Sequence, residues 1–135
     1  MILKLVPSQA KILRRAQPES WIMDWTHIGH MMETMLHYNG AGLAAPQVGL
    51  PYRCFVTDWG EVFINPVIQT KSLDVEIREE GCLSIPGIIV PVKRSKRVTV
   101  SGRSYSGSQA RVIQHELDHL NGILITDYLQ EKRCA

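Results

Sequence analysis

The stretch that most constrains this chain is HELDHLNGILI, which runs from His115 to Ile125. Residues four apart share one face of an α-helix, so His115 and His119 can grip a single metal ion, and Glu116 can work on a bound water. A catalytic site of this kind wants a third protein ligand and an open fourth position. The positions downstream do not supply it. The longer H-E-x-x-H-x-x-G-x-x-H pattern is matched at Gly122, but Ile125 stands where its last histidine would be. The only downstream glutamate is Glu131. The fold must therefore bring a ligand to this helix from upstream.

Composition limits the setting. At 135 residues the chain is one domain, residues 1–135, with enough length for a buried core. Fifteen Lys and Arg against 13 Asp and Glu leave a net charge of +2, which gives no nucleic-acid footprint. The run Lys93-Arg94-Ser95-Lys96-Arg97 reads as a solvated edge strand. No apolar stretch is long enough to span a membrane, and the opening MILKLVP is broken by Pro7, so neither a secretory signal nor a transit peptide is visible. Three cysteines suit a reducing compartment better than a disulfide scaffold. The expectation is a cytoplasmic domain.

The pattern of residues is α+β: antiparallel strands packed around a central metal-binding helix, with an N-terminal helix. The first helix is expected from about Ser20 to Tyr38, with Trp21, Trp25, Ile28, Met32, Met35 and Leu36 as its apolar stripe and Asn39-Gly40 as its stop. Strands follow in YRCFVTDW, EVFINPVIQ, LDVEIRE and RVTVSGRS. The second helix is expected from about Ser108 to Leu120, closed by Asn121-Gly122, with ILITDYL an irregular tail.

Other candidate ligands are weighed against blander roles. His27, His30 and His37 lie roughly on one side of the first helix, but no carboxylate or cysteine joins them in a ligand pattern, so they read as a polar flank. Met31, Met32 and Met35 read as core packing. Cys54 falls in an apolar strand and reads as buried and inert, and Cys134 as frayed. Cys82, in REEGCLSIPG, is different. A thiolate with two imidazoles is a sound three-ligand set for zinc or ferrous iron, so Cys82 is the expected third ligand. The stretch GAGLAAPQVG, 40–49, lacks the Lys-Ser/Thr of a phosphate loop and follows a helix. Its small residues let a backbone approach something extended, and Gln47 offers an amide donor for an oxyanion.

GAGLAAPQ, EGCLS and QHELDH, in this order, resemble the three signature motifs of the peptide deformylases. The similarity also covers MILKLVP, METM and VKRSKRVTV. The resemblance implies a metal held by Cys82, His115 and His119: Fe2+, with Zn2+, Ni2+ or Co2+ able to substitute. It implies Glu116 as catalytic acid/base, and Gln47 with the Leu83 backbone N–H as oxyanion donors. The substrate, an N-formylmethionyl nascent peptide, would lie along Ala41-Gly42-Leu43, with Arg94 near its far end. Val112, a turn before His115, is a candidate for the methionine pocket with Ala41 opposite, its alternative being plain core. The partners implied are nascent peptides with transient ribosome contact, without nucleic acid or membrane, and the chain is expected to be a monomer. Two departures stand out. Only GRSYSGSQ separates the last strand from the metal helix, and the sequence ends soon after DYL, where many bacterial members carry a further helix. Rival readings are a related amide hydrolase with a changed substrate and a non-enzymatic zinc module. The second would need a fourth protein ligand and would leave Glu116 without a use.

Overall fold

The computed structural model describes residues 1–129, so Glu131 and Cys134 lie outside the described residues. Helix α1 spans Trp25–His37, and helix α2 spans Gly107–Leu120. Between them run β1 (Gly42–Ala44), β2 (Cys54–Thr57), β3 (Val62–Ile64), β4 (Ile68–Lys71), β5 (Val75–Cys82), β6 (Ile85–Ser95), β7 (Arg97–Val100) and β8 (Arg103–Ser106). All pairings are antiparallel, in three sheets ordered β1-β2-β3, β4-β7-β8 and β5-β6. Among the described residues no helix is long and apolar enough to cross a membrane.

Helix α1 starts later than the apolar pattern suggests. The Asp24 carboxylate accepts from the Thr26 N–H and caps the helix there, while Ser20 turns its hydroxyl on the Ile22 carbonyl. Trp21 and Trp25 consequently stay exposed, as does Leu36. The buried face is Ile28, Met31, Thr34 and Met35: Ile28 and Met35 keep their expected places, while Met31 and Thr34 are buried where Met32 and Leu36 were expected to be. Asn39, in the left-handed region at φ 56°, ends the helix, and the Gly40 N–H returns to the Met35 carbonyl.

The strand stretches also divide more finely than their composition suggests. Asn65 (φ 48°) and Pro66 break EVFINPVIQ into β3 and β4, which join different sheets. RVTVSGRS is a hairpin rather than one strand: Ser101 and Gly102 both take positive φ and turn β7 into β8. The basic run is likewise not a uniformly solvated edge. Arg94 is only 4% exposed, while Lys93, Lys96 and Arg97 face solvent.

Helix α2 has packed elements on several sides. Ala110, Ile113 and Leu120 join Phe55, Phe63, Val98, Val100 and Tyr105 in one cluster. A second cluster sets Ile28, Met31 and Met35 of α1 against Leu43, Cys54 and Val56. A third, smaller one puts Val90 and Val92 of β6 against Ile125. At the end of α2 the chain opening returns: the Gln17 N–H bonds to the Leu120 carbonyl, and Ala16 bridges Asn121. Gly122 sits under this contact at φ 75°, where an added Cβ would come within 2.7 Å of the Arg14 carbonyl carbon. Gly122→Ala should therefore lower stability by about 2–3 kcal/mol. Gly60→Ala, at φ 85° with open space around it, should cost about 1 kcal/mol. Urea unfolding midpoints of the two variants would check the contrast.

Candidate active site

Helix periodicity carries His115, Glu116 and His119 onto neighbouring faces of α2, and the hairpin of β5 and β6 brings Cys82 to meet them. Cys82 ends β5 at a register shift, one turn before β6 begins, so its side chain is presented by a tight corner. Its sulfur lies 3.3 Å from His119 Nε2, and the donor atoms of Cys82, His115 and His119 all fall within 4.8 Å of one another. That gap matches a single ion bound by one thiolate and two imidazoles. Among the described residues no other group of three such donors comes together. His27 instead contacts the Tyr52 hydroxyl at 3.0 Å. Cys54 is fully buried, and burial pushes its thiol up to about 12, well away from reactivity.

Glu80 fixes the direction of one ligand. Its Oε1 lies 2.8 Å from His115 Nδ1, leaving Nε2 for a metal. The same carboxylate accepts from Arg94 at 3.0 and 2.9 Å and from Arg111 at 2.5 Å. Burial opposes its charge, but hydrogen bonds and charge from His115 and Arg94 outweigh that and hold it down at about 2. His115 is pushed up to about 10: burial opposes that shift, but the facing Cys82 and Glu80 outweigh it. His119, whose Nδ1 has no hydrogen-bond partner, falls well below its ordinary value because desolvation disfavours the imidazolium and the charges of His115 and Arg94 add to that. A neutral imidazole is the form a metal requires.

Glu116 is 4% exposed, and burial raises its carboxyl to about 7. Its Oε1 has no hydrogen-bond partner, an orphan that a water or a substrate proton would satisfy. The space beside it exists because residue 42 is glycine: a Cβ there would stand 2.8 Å from Glu116 Oε2. Gln47 lies in a short turn, Ala45–Val48, after β1. Its oxygen accepts from the Ala44 N–H at 2.9 Å, which aims the NH2 group at Ser84 Oγ (3.0 Å) and Cys82 Sγ (3.7 Å).

An open cleft of about 410 Å³ lies above these groups. Ala41, Gly42, Gln47, Cys82, Leu83, Val112, His115 and Glu116 line it. Leu43 is fully buried and turns its side chain into the core beside α1. Arg94 is the residue that does not fit its sequence expectation. It lies outside this cleft, its guanidinium committed to Glu80, to Asp118 at 2.6 Å and to the Tyr128 hydroxyl at 3.0 Å. Arg111 takes the place at the cleft wall, held by Glu80 and by the carbonyls of Val92 and Glu76. Three contributors went unread in the sequence: Glu80, Ser84 and Arg111. The first two are the ends of EGCLS, on either side of Cys82, so the motif itself was the available signal.

A compact α+β domain with a cysteine sulfur, two imidazoles and an unpartnered carboxylate at an open cleft has the donor set of a metal-dependent hydrolase. The sequence matches the polypeptide deformylase family over residues 2–134. A peptide deformylase of Thermotoga neapolitana is 50% identical, across 76% of this chain and 70% of its own. The crystal structure of peptide deformylase from Thermotoga maritima superposes with a TM-score of 0.86 at 42% identity, covering 94% of this chain and 97% of that one. The peptide deformylase of Synechococcus elongatus in complex with actinonin gives a TM-score of 0.86 at 39% identity, over 93% and 77%. The chain belongs to the polypeptide deformylase family.

Glu80→Gln should weaken metal binding about 10- to 100-fold, because it loosens the carboxylate behind His115. It should also destabilise the fold by about 3–5 kcal/mol, because two guanidinium groups lose their shared counter-charge. Competition against a chelator and urea unfolding measure the two effects. Cys82→Ser should lose its metal on dialysis against a mild chelator, whereas Cys54→Ser should keep a full equivalent. Retention by Cys82→Ser would place the third ligand elsewhere.

Proposed function

We propose that this chain removes the formyl group from the N-terminal formylmethionine of newly made polypeptides, releasing formate and a free amine. The observation that carries this reading is the gathering of Cys82, His115 and His119 beneath an open cleft, with the orphaned Glu116 carboxylate alongside. The three donors would hold a divalent cation, Fe2+ in the cell with Zn2+, Ni2+ or Co2+ able to replace it. When bound, such an ion supplies Lewis-acid activation of water and of a carbonyl oxygen.

The remaining steps belong to the protein. Glu116 takes the proton from the attacking water and returns it to the departing amine. Gln47 Nε2 and the Leu83 backbone N–H donate to the oxygen on which negative charge develops. Gln47 suits this task because its orientation is already fixed by Ala44, so no reorganisation accompanies the reaction. The peptide adds as a strand along Ala41-Gly42-Leu43. Among the described residues β1 is an edge strand, paired with β2 alone, which supports that placement. Val112 with Ala41 receives the methionine side chain, and both line the cleft. Arg94 has no part in substrate binding. We place the activity in the cytoplasm on nascent chains, with the protein acting as a monomer in transient contact with the ribosome.

Glu116→Ala should keep about one metal per chain, since the glutamate is not a ligand, while turnover of a formyl-Met peptide falls about 10²- to 10⁴-fold. Formyl-Met peptides should be cleaved far faster than acetyl-Met peptides, because an added methyl displaces the carbonyl from its donors and small misplacements are costly. Amine release from both substrates is the measurement. Comparable rates would favour a related amide hydrolase with a changed substrate.

A further inference from the structure

A second pocket of about 470 Å³ lies along a different face of α2, lined there by Gln114, Leu117, Asp118 and Asn121. It shares no lining residue with the catalytic cleft. The wall between the two is one charged layer: Glu80 faces the cleft, and Arg94, bonded to it, faces the second pocket. Its volume is within the ordinary range for small-molecule sites.

The charges around this pocket are one-sided. Arg53, just before β2, Lys71 of β4 and Lys93 of β6 line it together with the buried Arg94. Asp118 is the only acid in the lining among the described residues, and its Oδ2 is already engaged by Arg94 and by the Tyr128 hydroxyl at 2.5 Å. Lys71 and Lys93 have no ion-pair partner among the described residues, a state they share with the exposed Lys4, Lys11, Arg15 and Arg97, but only these two stand at the rim of a pocket that also holds Arg53 and Arg94. Arg53 is held in position by the carbonyls of Gln17 and Leu120, both 3.1 Å from Nη1. Cations converging without counter-charge repel one another, and a bound anion relieves that repulsion. Val67, Val75 and Leu117 add an apolar side to the same hollow, and Val67 is 61% exposed.

We propose that this pocket binds a small phosphate-bearing molecule with an apolar or planar body, of about nucleotide size. The phosphate sits among Lys71, Lys93 and Arg53, and the body lies against Val67, Val75 and Leu117. The site is independent of the hydrolytic centre and needs no metal.

The test is a titration of the full chain with AMP, adenosine, inorganic phosphate and a short oligouridylate, followed by amide NMR shifts. AMP should move the amides of residues 67–71 and 93–95 in a saturable way, inorganic phosphate should do so more weakly, and adenosine scarcely at all. Raising the salt should weaken AMP binding. Lys71→Ala with Lys93→Ala should weaken it at least tenfold while the thermal unfolding midpoint stays near that of the parent, and Lys93→Glu alone should act in the same direction. Absence of shifts with millimolar AMP would overturn the proposal, as would binding that survives the double substitution or maps to the catalytic cleft. Oligouridylate binding far tighter than AMP and growing with length would overturn the small-molecule assignment in favour of an RNA surface.

Discussion

The carboxylate of Glu80 is the interaction on which the rest of the site depends. Two guanidinium groups and one imidazole converge on its two oxygens, one from the partner strand and two from the metal-site helix. A buried ion pair contributes little by itself, because desolvation offsets most of the attraction. Its value here is geometric. Arg94 comes from the partner strand of the same hairpin, while Arg111 and His115 come from α2, so Glu80 ties hairpin to helix at the height of the metal ligands. Arg111 reinforces the tie by donating to the Glu76 and Val92 carbonyls on the two strands.

This explains why the β5–β6 hairpin can stand as a two-stranded sheet, a form that is marginal in isolation. Its inward face is Glu80 and Cys82 on one strand and Val90, Val92 and Arg94 on the other. Ile77, by contrast, is 63% exposed. On β5 the alternation is inverted relative to an ordinary amphipathic strand: Glu80 faces in while Val75 and Ile77 face out. Apolar burial against Ile125 holds the middle of the hairpin, and the ionic layer sets its register against α2.

That inversion also marks the limit of what was legible from sequence. The α2 helix was readable to within a residue because two histidines and a glutamate at helical spacing coincide with buried Ala110, Ile113 and Leu120. Cys82 was readable by the chemistry of its donor atom. The start of α1 was not, since Trp21 and Trp25 look like core by size, and only the local competition between Ser20 and Asp24 as caps decides where the helix begins. The β7–β8 turn was hidden because Ser-Gly is a weaker hairpin signal than Asn-Gly. Arg94 was misplaced for a more general reason. A basic run in sequence gives no sign that one member will be buried, and its partners, Glu80 and Asp118, are 14 and 24 residues away.

The corner that presents Cys82 has a further meaning for the thermodynamics of the whole domain. Cys82 and His119 are 37 residues apart along the chain, yet their donor atoms nearly touch. An ion shared between them is a cross-link: it closes a long loop whose freedom the unfolded chain would otherwise enjoy. Occupancy of the site is then coupled to folding itself, and each tenfold rise in free metal above its dissociation constant adds about 1.4 kcal/mol to the stability of the native state. Hairpin and helix, joined otherwise by the ionic layer and by Gln114 on the Ser95 backbone, would be held together in part by such a cation.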